Sequence, residues 1–248
     1  MILYFIITLI TMTIEAFAGF GGNAIGMPFL TLSMPTADAV VLLSFNALLV
    51  NLFICLTQFK KIVWREYARV ALPILAIIPF GVAIYASLSA YEPALKLILG
   101  VVISAIAAKY IYDIYIKKAD IGRLSPSLRY GALFLGAIVQ GMFSTGGPIM
   151  AVYITNTLDD KSEFRATMSA VWITLIIETT VIRLFFTDMY RLELIFTGLK
   201  AIPILALGLV LGMFLHERVD NAKFKRYVYF VLLAGGLTSI INALTILL

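Results

Sequence analysis

The stretch Ile2–Leu32, ILYFIITLITMTIEAFAGFGGNAIGMPFLTL, reads as a membrane helix interrupted midway. A bilayer crossing takes about 20 apolar residues, and this run supplies them. Inside it stands Gly19-Phe20-Gly21-Gly22-Asn23. Glycine costs about 1 kcal/mol against alanine in a helix interior, so such a cluster breaks the helix. The stretch Tyr130–Thr155, YGALFLGAIVQGMFSTGGPIMAVYIT, has the same layout, interrupted at Ser144-Thr145-Gly146-Gly147-Pro148. Six further apolar units lie around these two. They are Ala39–Phe59, Val70–Ser89 with Pro73 and Pro79, Ala94–Ile116, Ala166–Phe186, Leu192–Leu215 with Pro203, and Tyr227–Leu248.

Composition agrees with a membrane protein. Of 248 residues 62% are hydrophobic and 13% charged, with a mean hydropathy of +1.01. A soluble domain is about 25% charged and has too little apolar surface to need a bilayer. In lipid only helices and closed barrels satisfy the backbone, and these long unbroken runs favour helices. The net charge of +5 comes from basic residues in short loops, the positive-inside pattern, and gives no reason to expect nucleic acid. One cysteine (Cys55) excludes a disulfide framework, and one histidine (His216), read as lying in a charged loop, makes metal chemistry an unpromising reading. No cofactor is expected. The run Ile2–Phe17 lacks a basic start and a cleavage site, so it reads as a retained helix.

The order of features repeats with an offset of 125. Glu15 falls on Gln140, Gly21 on Gly146, Gly22 on Gly147 and Ser44 on Ser169. Two homologous repeats of four units each are expected, 1–120 and 121–248, in one integrated transmembrane domain. The loops with Lys60, Lys61 and Arg65, with Lys117, Lys118, Arg123 and Arg129, and with Arg218, Lys223, Lys225 and Arg226 all ask to be cytoplasmic. Three simple crossings between the last two would separate them. The conflict vanishes if the broken fifth unit is a hairpin that returns to its own side. The first unit then becomes a hairpin from outside, the repeats are inverted, both termini face outside, and the two breaks meet near the membrane midplane. Eight simple crossings with one misplaced basic loop is the alternative.

After each break a short helix is expected, Ala24–Leu32 and Ile149–Thr155, with Pro148 suited to a helix start. A helix N-terminus offers free N–H groups and a positive dipole end, hence an anion site without a lysine. Gly21, Gly22, Asn23, Gln140, Ser144, Thr145, Gly146 and Gly147 are the candidate substrate-binding residues there. Close packing of small residues is the competing explanation for the glycines. Ser44, Asn51 and Gln58 share one helical face, with Asn46 beside it; Asn46 and Asn51 are binding candidates, or interhelical hydrogen bonds. Trp172 and Arg183 complete the set, against readings as packing and as snorkelling. Acids in membrane helices often mark ion pathways, which makes Glu178 and Glu15 the proton-coupling candidates.

At Gly19 through Leu30 and at Ser144 through Ile149 the sequence resembles the sulfite exporter TauE/SafE family of bacterial membrane proteins, and the resemblance extends to length and duplicated layout. It implies a transporter of sulfite, thiosulfate or organosulfonates across the bacterial inner membrane, working on a small anionic substrate in the lipid bilayer, with protons as the coupling ion to be tested. Asn23 stands where a third glycine is common, and Tyr153 where the repeat suggests a proline like Pro28; both bear on which anion fits. A carrier or importer of another small anion is the alternative. An intramembrane enzyme would need a nucleophile–base pair or metal cluster that the sequence lacks, and a membrane scaffold would not need polar groups converging on two helix breaks.

Overall fold

Each glycine-broken run folds into a helical hairpin. In the computed structural model, which describes residues 2–31, 33–88, 92–116, 125–143, 146–186 and 191–247, the first hairpin is α1 (Ile2–Ala18) and α2 (Gly22–Leu30). Gly19 and Gly21 turn the chain with φ of 79° and 95°, a left-handed backbone that residues with a Cβ avoid. α2 then runs back along α1. Gly22 lies against Thr11 and Glu15, Gly26 against Thr11 and Ile7, and Leu30 packs with Tyr4 and Ile7. The second hairpin is α6 (Pro126–Phe143) and α7 (Gly147–Thr155). Here Gly146 lies against Gln140, Met150 against Gly136, and the Tyr153 ring stands 5.5 Å from Tyr130 near the start of α6. The chain therefore leaves each hairpin on the side from which it entered.

The remaining helices are α3 (Thr36–Thr57), α4 (Trp64–Leu88), α5 (Glu92–Tyr115), α8 (Lys161–Phe186), α9 (Leu192–Lys200), α10 (Ile202–Arg218) and α11 (Asn221–Leu247), with a 3-10 turn at Phe59–Lys61. No strand occurs among the described residues. Among the described residues three helices are long and apolar enough to cross a membrane singly, Ala37–Thr57, Lys161–Phe185 and Asn221–Thr245, and the pair α9–α10 makes a fourth. That pair corrects the single unit expected at Leu192–Leu215: it bends by 50° at Ala201. Pro203 stands in the first turn of α10, where its missing N–H costs nothing. Pro73 and Pro79 lie inside α4 without ending it.

Several helices outrun the apolar units that announced them. α4 begins six residues before Val70, α8 five before Ala166 and α11 six before Tyr227. Hydropathy marks the hydrocarbon core, whereas the helix continues through the headgroup layer with charged turns such as Trp64–Arg69.

Packing pairs α1 with α10, α4 with α6, α3 with α8, and α5 with α11. Glycines set the close approaches. Gly81 meets Gly141 between α4 and α6, Gly100 meets Gly236 between α5 and α11, and Gly208 and Gly212 rest on the backbone of α1. Small residues let helices touch where lipid offers no hydrophobic drive.

The interhelix bonds define two ends. At one, the Lys161 ammonium, opening α8, donates to the carbonyls of His216 (2.5 Å) and Val219, and its N–H donates to Asn221 Oδ1. Val63 N–H donates to Thr167 Oγ1. Lys60, Lys61, Arg65, Arg218 and Lys223 belong to this end. At the other end Arg191 pairs with Asp38 at 2.5 Å. Between the ends the outer surface is apolar, with Phe80, Phe134, Phe185, Val210 and Ile241 exposed.

Candidate functional site

Glu15 and Gln140 occupy the same place in the two hairpins. The Gly22 N–H, opening α2, donates to Glu15 Oε2 at 2.8 Å, and Asn51 Nδ2 donates to Glu15 Oε1 at 3.0 Å. The Gly146 N–H, just before α7, donates to Gln140 Oε1 at 3.0 Å. Each break thus carries its own acceptor, one turn before it in sequence, that satisfies a freed backbone donor. Glu15 is 3% exposed and Gln140 also 3%.

The glycines themselves are sterically required. A Cβ on Gly146 would overlap the Gly136 carbonyl oxygen, and one on Gly147 would overlap the Trp172 ring. On Gly22 it would sit 2.6 Å from the Thr11 carbonyl oxygen, and on Gly21 2.7 Å from Val231. Packing therefore accounts for these positions whatever else they do. Asn23 is half-buried, and its Oδ1 has no hydrogen-bond partner. Ser144 and Thr145 lie outside the described residues.

On α3, Asn46 is fully engaged in tying α1. Its Oδ1 accepts from Tyr4 Oη and its Nδ2 donates to Thr8 Oγ1, both at 3.2 Å. Asn51 holds Glu15 and leaves its own Oδ1 without a partner. These bonds are interhelical, the second of the two expectations for this face. Glu178 lies half-buried in the second half of α8, its Oε2 without a hydrogen-bond partner among the described residues, and Arg183 stands in the last turn of that helix.

Sequence reasoning missed Arg165. Among the described residues its side chain is the largest fully buried one, 1% exposed, in the second turn of α8. Nη1 donates to the Ala16 carbonyl at the end of α1 (2.9 Å), where a cation suits the helix dipole. Its Cα and Cγ lie against Gly19. A basic residue flanking an apolar unit reads as a loop anchor, and the 125 offset places Val40 opposite it, so neither signal singled it out. His216 is a further correction. It is not in a charged loop but 2% exposed in α10, its Nδ1 donating to the Phe17 carbonyl at 2.9 Å and its ring edge-on to Phe224 at 5.3 Å. Among the described residues no cluster of three His, Cys, Asp or Glu could hold a metal.

A sequence model of the family described as Sulfite exporter TauE/SafE matches residues 4–239, nearly the whole chain. The chain belongs to that family, and it is a multi-pass helical membrane protein. No curated protein and no solved structure matches it.

Proposed function

We propose that this TauE/SafE chain is a secondary transporter that exports a small sulfur-containing anion, such as sulfite, thiosulfate or an organosulfonate, across a bacterial plasma membrane. The observation that carries the reading is the pair of helical hairpins within a chain of this transporter family. In each, a short helix starts inside the protein beside a buried side-chain acceptor, the kind of broken helix on which membrane carriers build ion sites. The substrate is taken to bind between the two hairpin tips.

The repeat reading, 1–120 and 121–248 in inverted orientation, draws support from the packing. α1 of the first half lies on α10 of the second, and α6 of the second lies on α4 of the first, an exchange of equivalent neighbours. α3 with α8 and α5 with α11 are pairs of equivalent helices. The Lys- and Arg-rich end, where α8 opens against the α10–α11 loop, is assigned to the cytoplasm, which leaves both chain termini outside.

Purified protein in liposomes, loaded with radiolabelled sulfite, thiosulfate or taurine-like sulfonates, tests the function. Carrier-dependent, saturable flux of one of these is expected. Flux of none, from protein shown to be folded and inserted, refutes the reading.

A further inference from the structure

Three donors on one face of α8 have no hydrogen-bond partner among the described residues. Arg165, Ser169 and Trp172 are spaced i, i+4 and i+7, which places them along one side of the helix. They are 1%, 0% and 8% exposed. The atoms are Arg165 Nε, Ser169 Oγ and Trp172 Nε1. A single orphaned donor is a packing defect; three in register on one buried face are expensive enough to call for an occupant.

The face also joins the two breaks. Arg165 packs against Gly19 of the first, and the Trp172 ring lies against Gly147, the first residue of α7, at the second. At 1.5 Å of rise per residue the two ends of the row are about 10 Å apart along α8, with Ser169 between them.

We propose that this face is the binding track for the substrate, and that it selects a small oxyanion. The inference rests on the transport reading above and names the groups that hold the ligand. The guanidinium and the indole N–H donate and never accept, and the serine hydroxyl is free to donate. A ligand that satisfies all three presents acceptor oxygens and negative charge; a cation or a donor-rich amine does not. Arg165 supplies the charge at the Lys- and Arg-rich end, where one of its donors stays on the Ala16 carbonyl. Ser169 and Trp172 carry the anion onward with neutral hydrogen bonds that bind less tightly and so release it.

The absence of protein partners gives the test its sign. Ser169→Ala deletes a group that stabilises nothing in the ligand-free fold, whereas Trp172→Phe deletes the indole N–H together with ring atoms packed in the core. Ser169→Ala is expected to be at least as heat-stable as wild type without ligand and Trp172→Phe somewhat less so, and each to bind radiolabelled sulfite about tenfold more weakly in nanodiscs, the scale of one hydrogen bond to a charged group. Arg165→Gln should lose more, and sulfate and phosphate should compete with sulfite better than chloride does. Unchanged sulfite affinity in both conservative variants overturns the track, as does a loss of affinity in Ser169→Ala matched by an equal loss of stability. Wild-type flux in liposomes is scored separately. Flux with unaltered variant affinities removes the track and keeps the transport reading. Track-dependent binding without flux keeps the track and removes the transport reading, and protein that binds no oxyanion removes both.

Discussion

Replacing Glu15 by alanine should unlatch the first hairpin, and replacing it by glutamine should not. The carboxylate is 3% exposed and accepts from the Gly22 N–H at 2.8 Å and from Asn51 Nδ2 at 3.0 Å. Hydrogen bonds to charged groups contribute about 1.5–3 kcal/mol each, so two amount to about 3–6 kcal/mol. Interhelical bonds in membranes average about 0.6 kcal/mol because the unfolded helices find other partners, which argues for the lower figure. The Gly22 donor, held at a buried break, has few such alternatives. About 3 kcal/mol is therefore expected for Glu15→Ala, or two orders of magnitude in the folding equilibrium. Glu15→Gln keeps an acceptor for Gly22, as Gln140 does for Gly146, and Asn51 can turn its unpartnered Oδ1 toward the new amide. Its cost should stay near 1 kcal/mol. Reversible unfolding in mixed micelles, followed by circular dichroism, measures both. An alanine variant within 1 kcal/mol of wild type, or a glutamine variant as damaged as the alanine one, would refute the latch.

Other expectations follow from the same geometry. Gly146→Ala should lower stability or yield on its own, since its Cβ would overlap the Gly136 carbonyl oxygen, whereas Gly131→Ala, with open space at that position, should express and unfold like wild type; a stable, normally expressed Gly146→Ala protein would show that the contact can relax. With Cys55 replaced by alanine, a single cysteine at Lys223 should be labelled only from the cytoplasm and one at Glu193 only from outside; labelling from the opposite side at either position ends the inverted arrangement. Glu178→Gln should leave flux running but remove its dependence on pH, because an amide cannot exchange a proton, and an unchanged pH profile in liposomes would assign Glu178 a structural role.

Local chemistry made the hairpins legible. Gly19, Gly21 and Pro148 announce where helices stop and start, and the short helices begin within two residues of expectation. The proposed sidedness of the loops rests on lysines and arginines, and the contact of Lys161 with the His216 carbonyl fits a fifth unit that doubles back. The bend at Ala201 was not legible, because Pro203 carries the same signal as Pro73 and Pro79, which α4 absorbs. Burial across sequence distance was hidden as well. Arg165 is buried by the end of α1, 149 residues away, and no window of neighbouring residues contains that information. The polarity of Asn46 shows in the sequence, but its partners Tyr4 and Thr8 lie on another helix.

The caps of the two hairpins do the same work with unequal chemistry. Gln140 offers an amide oxygen that no change of proton concentration alters. Glu15 offers a carboxylate, and adding one proton would turn an acceptor oxygen into a donor facing either the Gly22 N–H, a fixed donor, or the Asn51 amide, which would have to turn its Oδ1 round to accept. One tip is therefore chemically deaf to acid while its counterpart has an ear for it. Two units of common layout need not be equal partners: whatever the second hairpin does, it does at constant charge, and any response of the paired breaks to acidity has to be heard through the first.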